Sequence, residues 1–230
     1  MLEYIKNKQK IHESKISSFY TNSGIHVYYK NQFYNERIDL ERVVGKVESR
    51  LPSHLRSNVE MIIVSEMSEF DERDIKALYQ DSAIYLSPDQ INNEELLEHL
   101  LHEFSHAVEE QFGELIYGDM DVQTEFLSKR ENLHNIMWKM GHKAKSELFL
   151  NPEYDEEFDE FLYNTVGYDK VTQMVSGLFL NAYSATDLRE YFGVGFSEYF
   201  LRPNEHNYFK TTCPKLFRKL KFLANNKNFD

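Results

Sequence analysis

The chain has 230 residues, 41% of them hydrophobic and 14% aromatic, with a formal net charge of −12. That balance specifies a globular protein long enough for a substantial core and disfavours nucleic acid as a partner, because phosphates need a basic surface. The single cysteine, Cys213, excludes an intramolecular disulfide and argues against a Cys-ligated zinc site, and no apolar run approaches the roughly 18 residues of a membrane span.

The first residues, Met1-Leu2-Glu3-Tyr4-Ile5-Lys6, lack the apolar stretch of a signal peptide. The cytoplasm is therefore the default location, with export by another route left open. In chain order, Ile25 to Tyr29 reads as a strand, and Leu40, Val43, Val44, Val47 and Leu51 mark a helix stopped by Pro52. Val59 to Val64 is a second apolar run of strand length, and Ala83 to Ser87 is a third, ending at Pro88. Ile84 and Tyr85 would point to opposite faces of that third strand. It is either an ordinary strand paired on both sides or an open edge that accepts an extended peptide as an added strand.

Everything after it reads as helix, at about 93–112, 120–140, 153–164, 169–181, 186–201 and 214–225. The class is α+β, mostly helical, with a small mixed sheet in the N-terminal half. No repeat or Pro/Gly-rich linker interrupts the pattern, so one domain over 1–230 is expected. Its parts would be 1–58, a strand and helix; 59–112, the sheet and a long helix; 113–181, a helical insertion; and 182–230, two closing helices.

The long helix carries the chemistry. Asn92 can cap its start, with Glu95 completing a capping box, and Gly113 is placed to end it. Leu96, Leu97, Leu100, Leu101, Phe104, Ala107, Val108 and Phe112 supply a broad apolar face. Within it stand His102-Glu103-Phe104-Ser105-His106, an H-E-x-x-H set. Residues four apart share one helix face, so both imidazoles can reach one Zn²⁺, and Glu103 beside them can take a proton from water. The competing explanation is a buried helix whose histidines bond to neighbouring groups. His99, one turn earlier, could line the same cleft but reads first as exposed helix surface.

A catalytic zinc needs a third protein ligand. Glu125 lies 19 positions past His106, near the interval of thermolysin-like enzymes, but Lys129 stands where those carry an acid. Glu131 sits among charged residues and reads as surface. Further on, Ser184 or Thr186 can cap a helix with the aromatic face Tyr191, Phe192, Phe196, Tyr199 and Phe200. Glu190 is the anomaly in it, because an acid among buried aromatics costs several kcal/mol unless paired or metal-bound. Glu198 belongs nearer the rim.

The segment Tyr183, six residues, then Glu190-Tyr191-Phe192-Gly193-Val194-Gly195-Phe196 resembles the anthrax lethal factor catalytic domain and the related Pro-Pro endopeptidases. Those carry Tyr, six residues, then Glu-Phe-Phe-Ala-Glu-Ala-Phe. The likeness continues through Cys213-Pro214-Lys215-Leu216-Phe217, and the strand at Ala83–Ser87 and the H-E-x-x-H helix follow in the same order. It covers residues 83 to 112 and 178 to 223.

The resemblance implies a zincin-like metallopeptidase with one Zn²⁺ on His102, His106 and Glu190. It makes Glu103 the general base and Tyr183 a hydrogen-bond donor to the oxyanion. Two features depart from the family. Val194 replaces its second Glu, and the 84 residues from His106 to Glu190 exceed the usual interval. The substrate would be a protein or peptide. Six acids at 151–160 leave room for a basic one, although such a run is usually a solvated helix face. The alternatives are a zincin-fold binding module with weakened activity, a thermolysin-like site using Glu125, and a helical protein in which the motif is accidental.

Overall fold

The computed structural model describes residues 18–226, so the Met1–Lys6 segment considered above lies outside the described residues. The described chain forms two compact units, one ending at Gln111 and the other beginning at Phe112.

The first unit is built on a mixed five-stranded sheet of β1 (Ser18–Tyr20), β2 (His26–Tyr29), β3 (Met61–Val64), β4 (Ala77–Gln80) and β5 (Ala83–Leu86), in the order β1-β2-β3-β5-β4. Strands β2, β3 and β5 run parallel, with Val27 opposite Ile62 and Ile62 opposite Ile84. The outer strands β1 and β4 are antiparallel to their neighbours. Val27, Ile62, Val64, Ile84 and Leu86 are buried, as expected for central strands covered on both faces.

β5 is therefore paired on both sides, and the open-edge expectation for Ala83–Ser87 is corrected: the edge belongs to β4. β4 and β5 are joined by Asp81 and Ser82, both at positive φ (51° and 59°), the backbone of a tight two-residue hairpin. One shorter helix of this unit follows its sequence signals and a second was not expected. α1 (Leu40–Arg50) buries Leu40, Val43, Val44 and Val47, and its cap Asp39 accepts the Arg42 N–H. α2 (Ser68–Glu72) is a single short turn.

α3 (Asn93–Tyr117) is the long helix. Asn92 caps it, its side-chain oxygen accepting the N–H groups of Glu94 and Glu95 at 2.9 Å each. Only that half of the capping box forms, since Glu95 Oε2 is buried with no hydrogen-bond partner among the described residues. The helix does not stop at Gly113. Its dihedrals break at Phe112 (φ −120°, ψ 18°) and helix resumes to Tyr117.

The second unit is helical. It contains α4 (Asp121–Lys139), α5 (Ser146–Leu150), α6 (Glu156–Glu160), α7 (Tyr168–Met174), α8 (Leu188–Leu201), α9 (Asn207–Thr212) and α10 (Pro214–Asn225), of which the short α5 and α9 are additional to the helices expected from periodicity. The stretches expected at 153–164 and 169–181 are more broken than periodicity suggested. A π-helical segment occupies Phe161–Gly167, and Gly167 and Gly177 take positive φ (90° and 78°) that ends regular helix. Phe126, Phe179 and Tyr191 meet edge-to-face or tilted at centroid distances of 5.4–6.1 Å and form the aromatic centre of this core.

Arg130 is fully buried in it, its guanidinium 3.7 Å from the Phe158 ring centroid. It donates hydrogen bonds to the carbonyls of Ala185, Thr186 and Leu148, which lets a desolvated cation stay inside. Burial pulls its pKa down to about 9. Among the described residues no helix is long and apolar enough to cross a membrane.

Candidate metal centre

His102 and His106 project from the same face of α3, as their spacing requires, with ring centroids 4.9 Å apart and planes at 83°. His106 is buried, and its Nδ1 lies 2.9 Å from Glu109 Oε2, one turn further along. Glu103 is also buried, and its Oε2 accepts the backbone N–H of Tyr79 at 2.7 Å. A carboxylate that lies between the two histidines in the sequence is thereby tied to strand β4. The Tyr79 hydroxyl bonds Glu110 and accepts from the Asn58 amide at 2.8 Å, so the strand is fastened to the helix by side chain as well as backbone. Burial and the Glu110 contact push the Tyr79 phenol up to about 12.

His99 is half-buried, not exposed surface. Its Nδ1 faces Gln90 Oε1 at 3.0 Å. The Gln90 amide nitrogen donates to the carbonyls of Lys76 and Ser87, which fixes the amide orientation and makes His99 Nδ1 the proton carrier. Burial, then the nearby His102 and Lys76, lower the His99 pKa to about 4, so the ring is neutral at physiological pH.

Glu190 enters from the first turn of α8, where its backbone N–H is received by Asp187 Oδ1 at 2.9 Å. Asp187 is the cap of this helix; Ser184 and Thr186, the expected caps, instead bond back to the carbonyls of Asn181 and Tyr183 at 2.7 and 2.8 Å. Those bonds belong to the 3₁₀ turn Tyr183–Ala185, so Asp187 is the first residue free to turn its side chain into the helix. Burial, then the charge of Glu190, raise the Asp187 pKa to about 6. Tyr183 opens that turn and is 39% exposed.

One nitrogen each from His102 and His106 and one carboxylate oxygen of Glu190 all lie within 4.8 Å of one another. Two imidazoles and a carboxylate are a donor set suited to a transition-metal ion. This cluster could hold a metal ion; its chemistry does not single out which one.

Glu125 serves elsewhere. Its Oε2 accepts the Lys215 N–H at 2.8 Å, and its Oε1 accepts the Leu216 N–H at 3.1 Å and the Tyr191 hydroxyl at 2.8 Å. It caps α10 from a distant helix, which the 19-residue interval could not reveal. The acids of 151–160 are mostly exposed, and Asp155 caps α6 by accepting the Phe158 N–H at 3.0 Å. Val194, where the lethal factor pattern has Glu, is buried. Comparison with protein-family models, curated proteins and solved structures finds no match.

Proposed function

We propose that this chain is a zinc-dependent endopeptidase of the zincin type, related to the lethal factor catalytic domain. The observation that carries the reading is the convergence of His102, His106 and Glu190, with Glu103 next to His102 in the same helix. Zinc bound by those three residues would supply Lewis acidity, lowering the pKa of a water toward about 7 and polarising a scissile carbonyl.

The chain's own groups supply the proton traffic. Glu103 accepts a proton from the attacking water as the oxygen–carbon bond forms, and delivers it to the amide nitrogen as the carbon–nitrogen bond breaks. The Tyr79 N–H holds one carboxylate oxygen in place, which leaves the other for that exchange. The Tyr183 hydroxyl is the donor for the oxyanion. The substrate is a protein or peptide, and β4, the outermost strand on that side of the sheet and tied to Glu103 through the Tyr79 N–H, is the edge along which an extended chain would lie.

The test is Glu103→Gln, with zinc content and cleavage of a random peptide library measured together. We expect wild type to hold one equivalent of zinc and cleave, and the variant to keep zinc while losing about 10²–10⁴-fold in rate. Equal cleavage by both would remove Glu103 from the mechanism. Zinc uptake by wild type without any cleavage would make the chain a binding module, and no zinc uptake would make the motif accidental.

A further inference from the structure

The hydrogen bond on the far side of His106 gives Glu109 a task that the H-E-x-x-H pattern does not include. We propose that Glu109 is the positioning residue of the metal centre, holding His106 in the tautomer and ring orientation that presents Nε2 to the ion. The inference rests on the metal-site reading above.

Glu109 Oε2 and His106 Nδ1 are 2.9 Å apart, and both side chains are at most 10% exposed. A carboxylate has only acceptor sites, so the proton of this bond sits on Nδ1, and in the neutral ring Nε2 is left as a bare lone pair. A ligand histidine must present such a lone pair. Ligand histidines are commonly oriented by a carboxylate or carbonyl on the opposite nitrogen, and loss of that partner weakens the metal site by about 10–100-fold.

Here the partner comes from the same helix, three residues on, where helix geometry brings side chains together. No loop has to close for His106 to be oriented, because α3 carries both members of the pair. The two neighbouring acids divide their work. Glu110 bonds the Tyr79 hydroxyl and the Asn58 amide at the sheet, whereas Glu109 faces the imidazole.

Zinc affinity measured by competition with a chromophoric chelator, on wild type, Glu109→Gln and Glu109→Ala, tests the assignment. A purely structural role for Glu109 would leave affinity unchanged in any variant that still folds. Gln keeps a neutral acceptor for Nδ1–H, so we expect a loss of only a few-fold. Ala removes the acceptor, so we expect a loss of about 10–100-fold.

Nitrogen-15 chemical shifts of His106 in the metal-free protein supply the second readout. They should show the Nδ1–H tautomer in wild type and Glu109→Gln, and mixed tautomers in Glu109→Ala. If Glu109→Ala binds zinc as tightly as wild type with an unchanged tautomer, the positioning role is overturned while the metal site stands. If wild type takes up no zinc, the metal-site reading itself falls and the role goes with it.

Discussion

Glu125 offers the sharpest test of how the helical unit is assembled. Its carboxylate receives two N–H groups from the first turn of α10 and the hydroxyl of Tyr191, a residue with no exposed surface. Replacing it with Ala strips the cap from α10, worth about 0.5–2 kcal/mol. It also leaves a buried phenol without its acceptor, worth about 1–3 kcal/mol. We expect a combined loss of about 3 kcal/mol, a large share of the stability of an ordinary domain. Glu125→Gln keeps one oxygen as acceptor and should lose about half as much. Urea unfolding gives the stability change, and chelator competition gives the zinc affinity of the folded variants. Zinc affinity should not move, because Glu125 lies outside the His102, His106, Glu190 cluster. A variant as stable as wild type would refute the capping argument. Lost zinc with unchanged stability would restore Glu125 as a ligand.

Gly195 and His99 give two further expectations. A Cβ built on Gly195 would sit 2.4 Å from Leu216 Cδ2 and 3.3 Å from Phe209 Cζ, so Gly195→Ala should cost about 1–3 kcal/mol. Combining it with Leu216→Val should cost less than the sum of the two single changes; strict additivity in urea unfolding would show that these atoms do not compete for space. The His99 shift sets a pH dependence for the metal-free protein. Between its unfolded pKa of 6.5 and its folded pKa of about 4, the unfolded chain binds a proton that the folded chain refuses. Stability therefore falls as pH drops through that window, by about 3 kcal/mol in all, and is independent of this group above it. His99→Gln should remove that part of the slope in unfolding measured from pH 4 to 7, and an unaltered slope would assign the titration elsewhere.

The sequence yielded what is decided within a few residues and missed what distant segments decide. The H-E-x-x-H face follows from helix periodicity alone, and the Asn92 cap follows from residue type. Glu190 stood out because an acid among aromatics is costly. β4 escaped notice because its hairpin turns on Asp81-Ser82 without the glycine that usually marks positive φ. The cap of α8 was misassigned because Ser184, Thr186 and Asp187 can all cap, and only the 3₁₀ turn consumes the first two. Glu109 was legible in principle as an acid three residues past the second histidine of the motif. Paired with Glu110 on an amphipathic helix, however, it looks like solvent-facing charge. The Tyr79–Glu103 bond and the Glu125 cap join segments 24 and 90 residues apart, and no local pattern encodes them.

Val194 shows why departures from a family pattern are best weighed as packing. In the lethal factor pattern an acid stands there between two alanines; here Val194 is only 8% exposed, between Gly193 and Gly195, with Leu216 against Gly195. Gly193, Val194 and Gly195 are all buried, so a carboxylate at position 194 would be largely cut off from water. Val194→Glu, which introduces the acid of the lethal factor pattern, should therefore not strengthen zinc binding and should cost several kcal/mol, because an added acid would be buried without a built partner. Glu109 already supplies a carboxylate to His106 from within α3. Chelator competition and urea unfolding on Val194→Glu and Glu109→Ala separate the two contributions. A gain in zinc affinity for Val194→Glu at unchanged stability would mean that position 194, and not the α3 carboxylate, is where this centre lacks support.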